Sequence, residues 1–357
     1  MIDIHFYMKI FELKKRIMNN ESFTREFLAE AIEDCRRLEP VIYNIETTNA
    51  CNMHCVMCPR TTMMTRRVET LDLSTFTRIA DQIRPWTENE WSVWQGFVET
   101  EYGIGRTEMS ENHFFLHVIP DVVVMHGYGD PLLDSNIAER VKVLVDRGLK
   151  PYFSCNPANI NENKVEEMFS HGLEYIKFSV ESVDDFLHKE IRGDASNFSG
   201  SYNKIIRLLE AKKKYGYRTT IVITMLDLKR NHQGEEFEKL QHAFKDHDVY
   251  IYFKSQDQQW YQEKNEGTKS IHWLEFCQFP WSSMTIKSNG EVVMCVEDFN
   301  NEIVLGDAKT ESLYDIWNGS RYQKFRQQHF KSAVGLKCDK QCDMNLVGTY
   351  GLFCNRL

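Results

Sequence analysis

The sequence predicts an α/β protein: an open partial (β/α)6 barrel followed by a small C-terminal α+β domain that carries cysteines. Three observations lead there. Six apolar, strand-like runs alternate with amphipathic helical stretches between residues 41 and 253, the pattern of a parallel sheet with helical crossovers. Six such units are too few to close an eight-stranded barrel. Beyond residue 270 the alternation stops, and the hairpin signal Asn289-Gly290 stands among Cys277, Cys295, Cys338, Cys342 and Cys354.

Residues 1–38 read as a helical extension. Phe6, Ile10, Leu13 and Ile17 recur at steps of three and four, and Phe27, Leu28 and Ile32 repeat the stripe. Such a stripe packs on a core, here expected on the outside of the main domain. The barrel is assigned to residues 39–270. Its first strand lies near Val41 to Glu46 and runs into a cysteine loop. Leu71-Asp72-Leu73-Ser74 leads into a helix with Phe76, Ile79, Ala80 and Ile83 on one face.

Residues 85–120, with Trp86, Trp91, Trp94 and Phe97 among many acids, are too long for a plain connection. A substrate wall or lid and a surface subdomain with its own core both remain open for this insertion. The second strand, Asp121 to Met125, holds four consecutive apolar residues, as a strand buried on both faces requires. A helix through Ile137, Val141, Leu144 and Val145 stops at Gly148, a good C-cap residue. Strand three is Tyr152 to Cys155, and the helix around Val165 to Phe169 ends near Gly172. Strand four is Tyr175 to Val180, and the helix through Ile205 and Leu209 ends near Gly216. Strand five is Thr219 to Met225, then a helix through Phe237, Leu240 and Phe244 precedes strand six, Val249 to Phe253. In the C-terminal domain, 271–357, a hairpin at Thr285 to Met294 is followed by helices at Leu313 to Trp317 and Tyr322 to Phe330.

The totals narrow the function classes. A net charge of -9 leaves no basic footprint for nucleic acid, so no nucleic-acid partner is expected. No stretch approaches the ~20 apolar residues of a membrane span. Residues 1–20 lack a secretory pattern, so a cytoplasmic location without membrane partners is expected. Seven of the ten cysteines fall into spaced groups, which favours metal ligation in a reducing compartment over disulfides.

The first group is Cys51-Asn52-Met53-His54-Cys55-Val56-Met57-Cys58, with the spacing C-x-x-x-C-x-x-C. Three thiolates on one short loop can hold three irons of a [4Fe–4S] cluster and leave the fourth open to a small molecule. A structural zinc site is the alternative, with His54 as a poorly placed fourth ligand. The loop resembles the signature of the radical S-adenosylmethionine (radical SAM) family, although Met57 stands where that family usually has an aromatic residue. The resemblance implies that SAM chelates the open iron and is cleaved by one electron to a 5′-deoxyadenosyl radical, which abstracts a substrate hydrogen. It also implies a partial barrel with its site at the C-terminal strand ends, where the cysteine loop falls.

Further stretches carry the same resemblance. His126-Gly127-Tyr128-Gly129-Asp130-Pro131 looks like the family's Gly-Gly-Glu motif, which meets the methionyl amino group; Tyr128 interrupts the glycines and Asp130 replaces Glu. Ser179 and Glu181, two apart and hence on one strand face, match polar positions that face the SAM ribose and carboxylate. Asn156 resembles the Asn of a Thr-Asn-Gly stretch, with Pro157 next. Arg192 could pair with the SAM carboxylate or form an ordinary salt bridge. Gly127, Gly129, Asp130, Asn156, Ser179, Glu181 and Arg192 are therefore the expected cofactor contacts. His126 and Tyr128, with Asp227, Lys229 and Arg230 behind them, are the candidates for a catalytic base.

The C-terminal series runs Cys277, Gly290, Cys295-Val296-Glu297-Asp298-Phe299, Gly306, Asp315-Ile316-Trp317, then the last cysteines. It looks like the auxiliary Fe–S module of radical SAM enzymes, SPASM in its long form and twitch in its short form. The long form's extra cysteines are missing, which implies one auxiliary [4Fe–4S] cluster on Cys277, Cys295, Cys342 and either Cys338 or Cys354. A four-cysteine zinc site is the alternative on spacing alone. The expected cofactors are SAM and two [4Fe–4S] clusters. Cys35 and Cys155 have no partners in sequence and read as core residues. The stretch Cys295 to Trp317 is similar to radical SAM aminocyclitol dehydrogenases. That similarity implies dehydrogenation of a sugar or cyclitol, free or nucleotide-linked, with an electron donor such as flavodoxin or ferredoxin. A peptide-modifying maturase is the second reading, although residues 1–38 are short for a peptide-binding domain. Redox-neutral epimerisation or elimination of a sugar is the third.

Overall fold

The computed structural model describes residues 1–19, 24–228, 233–254 and 278–331. Among the described residues, nine strands form one sheet. They are β1 (Ile42–Ile45), β2 (Val122–Val124), β3 (Lys150–Cys155), β4 (Tyr175–Ser179), β5 (Thr220–Leu226), β6 (Tyr250–Lys254), β7 (Met284–Ile286), β8 (Glu291–Val293) and β9 (Val304–Asp307). Their spatial order is β6-β5-β4-β3-β2-β1-β7-β8-β9. β1 to β6 are parallel neighbours in chain order, the six strands and the partial barrel that the apolar runs predict. No helix among the described residues is long and apolar enough to cross a membrane.

The two faces of this sheet differ, because side chains alternate along each strand. Val123, Phe153, Ile176, Phe178, Ile221 and Ile223 point outward. They share a core with the helices Ile137–Val145, Glu162–His171 and Phe198–Tyr215. The inner face is graded along its length. Tyr152 pairs in register with Val124 and Tyr175 at its N-terminal end, and Ser154 pairs with Lys177, which pairs with Val222. Ser179 pairs with Thr224, and Leu226 pairs with Lys254 at the C-terminal end. The inner wall thus turns from aromatic to polar toward the strand ends.

The aromatic half of that wall is covered from inside the barrel. Ile4, Phe6 and Ile10 of the first helix, Ile4–Met18, join Leu28 and Ile32 of the second, Arg25–Cys35, in a buried core with Trp94, Val98, Phe114, Tyr152, Val222 and Tyr252. The N-terminal helices therefore do not simply coat the exterior. Six strands leave an open barrel whose inner apolar rings need a cover, and these stripes supply it together with the 85–120 segment. That segment is the helix Glu88–Tyr102, started by a Thr87–Glu90 capping box and stopped at Gly103 (φ +66°), followed by short helical turns to Asp121. It forms the floor of the barrel.

The expected hairpin is present, and it extends the same sheet. β7 pairs in parallel with β1, and β8 returns antiparallel to β7. Lys287 accepts from the Gly290 N–H at 2.8 Å and donates its N–H to Glu291, so Ser288, Asn289 and Gly290 form a three-residue loop. Gly290 takes the left-handed φ of +85° that closes such a loop. Gly306 of β9 lies flat on Ile316, where a Cβ would come within 2.5 Å of the Ile316 side chain.

Candidate active site

The cysteine loop leaves β1 at the C-terminal edge of the sheet and folds onto the helix Asp185–Arg192. The C-terminal carbonyls of that helix lack helical partners. Arg192 and Ile191 supply two of them to the His54 and Val56 N–H groups, at 3.1 and 3.0 Å. Asp184 caps the start of the helix by accepting from the Leu187 N–H at 2.8 Å. Cys51, Cys55 and Cys58 then line one side of a cavity of about 400 Å³. Among the described residues, no three His, Cys, Asp or Glu side chains gather round one point. The three thiols are among the residues lining the cavity, and a [4Fe–4S] cluster there would take one thiolate on each of three irons. Burial pushes the Cys58 thiol up to about 11 and raises Cys51 as well. Cys51 and Cys58 are thus neutral thiols until a metal draws off their protons.

The same cavity is lined by Gly127, Gly129, Asp130, Asn156, Ser179, Glu181 and Arg192, and by His126 and Tyr128. The structure therefore brings together every site residue singled out in residues 51–192. Cys295 is buried just past β8. Cys277, Cys338, Cys342 and Cys354 lie outside the described residues, as do Lys229 and Arg230. Asp227 is described, and its N–H donates to the Lys254 carbonyl at 2.8 Å. Cys35 and Cys155 are buried in the two cores.

The hydrogen bonds sort these residues. Asp130 accepts from the Leu132 and Asn156 N–H groups, both at 3.0 Å, and from the Asn159 amide at 2.7 Å. It braces the loop after β2 against the loop after β3. Asn156 accepts from the Ala158 N–H through Oδ1, while its buried Nδ2 has no partner among the described residues. An orphaned donor beside a cavity is an observation in favour of a ligand there. Glu181 is buried, forms an ion pair with Arg192 and accepts from the Leu226 N–H at 2.8 Å. Burial pulls Arg192 down, but the Glu181 charge and the Cys55 sulfur raise it, so it stays charged beside the cysteine loop. The glycines act on packing: a Cβ at Gly127 would come within 2.7 Å of Glu46 Cγ, and one at Gly129 would collide with the Thr48 carbonyl. They let the loop after β2 lie on the end of β1.

His126 and Tyr128 face different neighbours. His126 Nδ1 accepts from the Ser154 N–H at 3.2 Å, which puts the ring proton on Nε2. Burial lowers its pKa to about 3, and Lys177 and Lys254 add to the shift. Tyr128 donates to Glu297 at 2.9 Å, and its ring stacks edge-on to Phe299. Burial, then Glu297, raises Tyr128 well above the usual phenol range, so it stays protonated. Glu297 lies two residues past Cys295, so this bond ties the cavity to the second cysteine set. Glu297, Lys177, Thr224 and Lys254 also line the cavity; the sequence did not single them out for the site.

Residues 115–241 match the model of the radical SAM superfamily, and residues 277–343 match that of SPASM, an iron–sulfur cluster-binding domain. The AdoMet-dependent heme synthase of Nitratidesulfovibrio vulgaris, strain Hildenborough, is 24% identical over 120 residues, 33% of this chain and 33% of that protein. The chain thus matches about a third of the length of that curated relative. The structure of BtrN in complex with AdoMet and 2-DOIA is 15% identical, covers 85% of this chain and 98% of its own, and gives a TM-score of 0.45. Streptococcus suis SuiB bound to S-adenosylmethionine is 13% identical, with 90% and 78% covered and a TM-score of 0.50. At 13% identity the likeness to SuiB is one of fold.

Proposed function

We propose, from the premise that this chain carries a radical SAM domain followed by a SPASM iron–sulfur domain, that it dehydrogenates a carbohydrate or cyclitol alcohol. The observation that carries the proposal is one cavity shared by the three thiols, the orphaned Asn156 donor and a tyrosine bonded to the second cysteine region. The radical SAM domain implies a [4Fe–4S] cluster and SAM, and the SPASM domain implies auxiliary Fe–S chemistry. When bound, these groups supply a 5′-deoxyadenosyl radical and a one-electron acceptor.

The chain's own residues have defined parts in this reading. Cys51, Cys55 and Cys58 hold the first cluster. Asn156, Ser179 and Glu181 border the SAM side of the cavity, with Asp130 positioning Asn156. Cys295, with Cys277, Cys338 and Cys342, holds the auxiliary cluster. His126 donates from Nε2, because Nδ1 is occupied by the Ser154 N–H. Tyr128 gives its one proton to Glu297, so its oxygen is the acceptor that faces the substrate. Both can hold a substrate hydroxyl by hydrogen bonds. In the net reaction the alcohol loses a hydrogen atom from carbon and one electron, its oxygen proton passes through the Tyr128 hydroxyl to the Glu297 carboxylate, and it ends as a ketone.

The test is SAM cleavage by anaerobically reconstituted protein with a strong reductant, comparing wild type with Cys55→Ala and counting iron in both. Formation of 5′-deoxyadenosine by wild type alone, with iron surviving in the variant, is the expected result. A product lighter by two hydrogens identifies oxidation, and an unchanged mass identifies epimerisation instead. Wild type that holds zinc and cleaves no SAM sinks the proposal.

A further inference from the structure

We propose that Ser196 and His188 are positioning residues for SAM: they hold the Asn156 carboxamide by its oxygen, so that its Nδ2–H group donates to an acceptor atom of the cofactor. The inference rests on reading this cavity as the SAM site.

Asn156 is buried and lines the cavity, while neither Ser196 nor His188 is among the lining residues. Asp130 holds its backbone N–H at 3.0 Å. Its side chain starts the helical turn Pro157–Asn159, where Oδ1 accepts from the Ala158 N–H at 2.8 Å. A backbone N–H only donates, so the amide atom at that contact is the oxygen. Ser196 Oγ lies 3.2 Å from the same oxygen and donates its one proton to it. Both bonds thus fall on Oδ1, and Nδ2 stays buried without a partner among the described residues. Such a nitrogen has lost its hydration on folding and regains a partner only when a ligand enters.

With its proton given to Asn156, the Ser196 oxygen takes one from His188, whose Nε2 is 2.9 Å away. The ring's other contact, Nδ1 to the Ser182 carbonyl, is longer at 3.3 Å. Burial, then the Arg192 charge, lowers the His188 pKa against the opposing pull of Glu181 and Asp185. The neutral ring has a single proton to place, and the shorter contact puts it on Nε2. The relay therefore runs from His188 Nε2–H to Ser196, from the Ser196 hydroxyl to Asn156, and from Asn156 Nδ2–H to the cavity. His188 and Ser196 are fully buried, so water does not replace a missing link. His188 and Arg192 stand four apart on the helix Asp185–Arg192 and share a face. Arg192 reaches Glu181 and the Cys55 sulfur, and His188 reaches Asn156 through Ser196. The turn that ends this helix places Ser196, whose N–H donates to the Gly193 carbonyl at 3.2 Å. One helix thus carries the cysteine loop and sets which way the Asn156 amide points.

The experiment measures SAM affinity by isothermal titration of the reconstituted protein. Urea midpoints are taken in parallel, so that a folding defect is read separately from affinity. Ser196→Ala should weaken SAM binding about tenfold, the worth of one well-placed hydrogen bond. His188→Leu should match it. His188→Gln, whose amide can still donate to Ser196, should bind within about twofold of wild type. In an Asn156→Ala background, Ser196→Ala should cost no further affinity, because the relay has nothing left to orient. A general packing role for Ser196 predicts losses that add instead. Three results overturn the proposal: unchanged affinity in Ser196→Ala, additive losses in the double variant, or His188→Gln as weak as His188→Leu. If wild type holds its iron and binds no SAM, the SAM-site reading falls as well; if wild type binds SAM and Asn156→Ala binds it equally, only this inference fails.

Discussion

The imidazole of His126 accepts a backbone hydrogen bond on Nδ1, and burial holds it neutral down to about pH 3. An unfolded histidine takes up its proton near 6.5. Between these values the unfolded chain binds more protons, so stability should rise with pH across that window and fall as acid is added. Urea denaturation at a series of pH values should show a steeper acid loss in wild type than in His126→Asn; equal slopes would contradict the assignment. Gly129→Ala should cost about 1–3 kcal/mol of stability, because the new methyl meets the Thr48 backbone, which cannot swing aside. Residue identity at the site was legible where spacing carries chemistry, as with Cys51, Cys55 and Cys58. Lys177 and Lys254 escaped because a lysine in a strand ordinarily marks a solvated or edge position. The alternation Tyr175, Lys177, Ser179 was the available signal. Glu297 escaped because its bond to Tyr128 spans 169 positions and has no local signature.

The helix Asp185–Arg192 carries the cysteine loop on its C-terminal carbonyls and sends Arg192 to Glu181. Gly193 ends it at φ +96°, and a Cβ there would press on the His54 N–H at 3.1 Å. Arg192→Met leaves the buried Glu181 carboxylate without its cation and should cost about 3–5 kcal/mol in chemical denaturation. The double variant Arg192→Met with Glu181→Gln should recover part of that loss; additive losses would mean the pair is not coupled. At this scale the sequence was a good guide to what forms and a poor guide to where it goes. Apolar runs marked the six strands β1 to β6, and Asn289-Gly290 marked the hairpin. The stripe Phe6, Ile10 and Leu13 marked a helix, but a stripe does not say which apolar surface it covers, and here it covers the inner barrel.

In the whole molecule, the outer edge of β1 is covered by β7, and a buried ion pair of Glu46 with Arg66, at 2.8 Å, sits at that seam. Arg66 also donates to the Phe299 carbonyl at 2.6 Å, and the buried Lys287 donates to the Val296 carbonyl at 2.9 Å. A chain ending at residue 254 exposes the β1 edge and this charge, so it should be recovered as aggregate rather than as a soluble monomer on gel filtration. A soluble, monodisperse fragment would show the two halves to be independent. Nothing local in the sequence signals the β7–β1 pairing, because three short apolar residues can pair with any open edge. The shared sheet has a consequence for redox chemistry. Electron tunnelling falls off exponentially with separation. The first cysteine loop hangs from β1, and Cys295 hangs from β8, two strands away in the same hydrogen-bonded lattice. The gap between these two anchor points is then a fixed dimension of the fold, so the electronic coupling across it should stay constant through turnover.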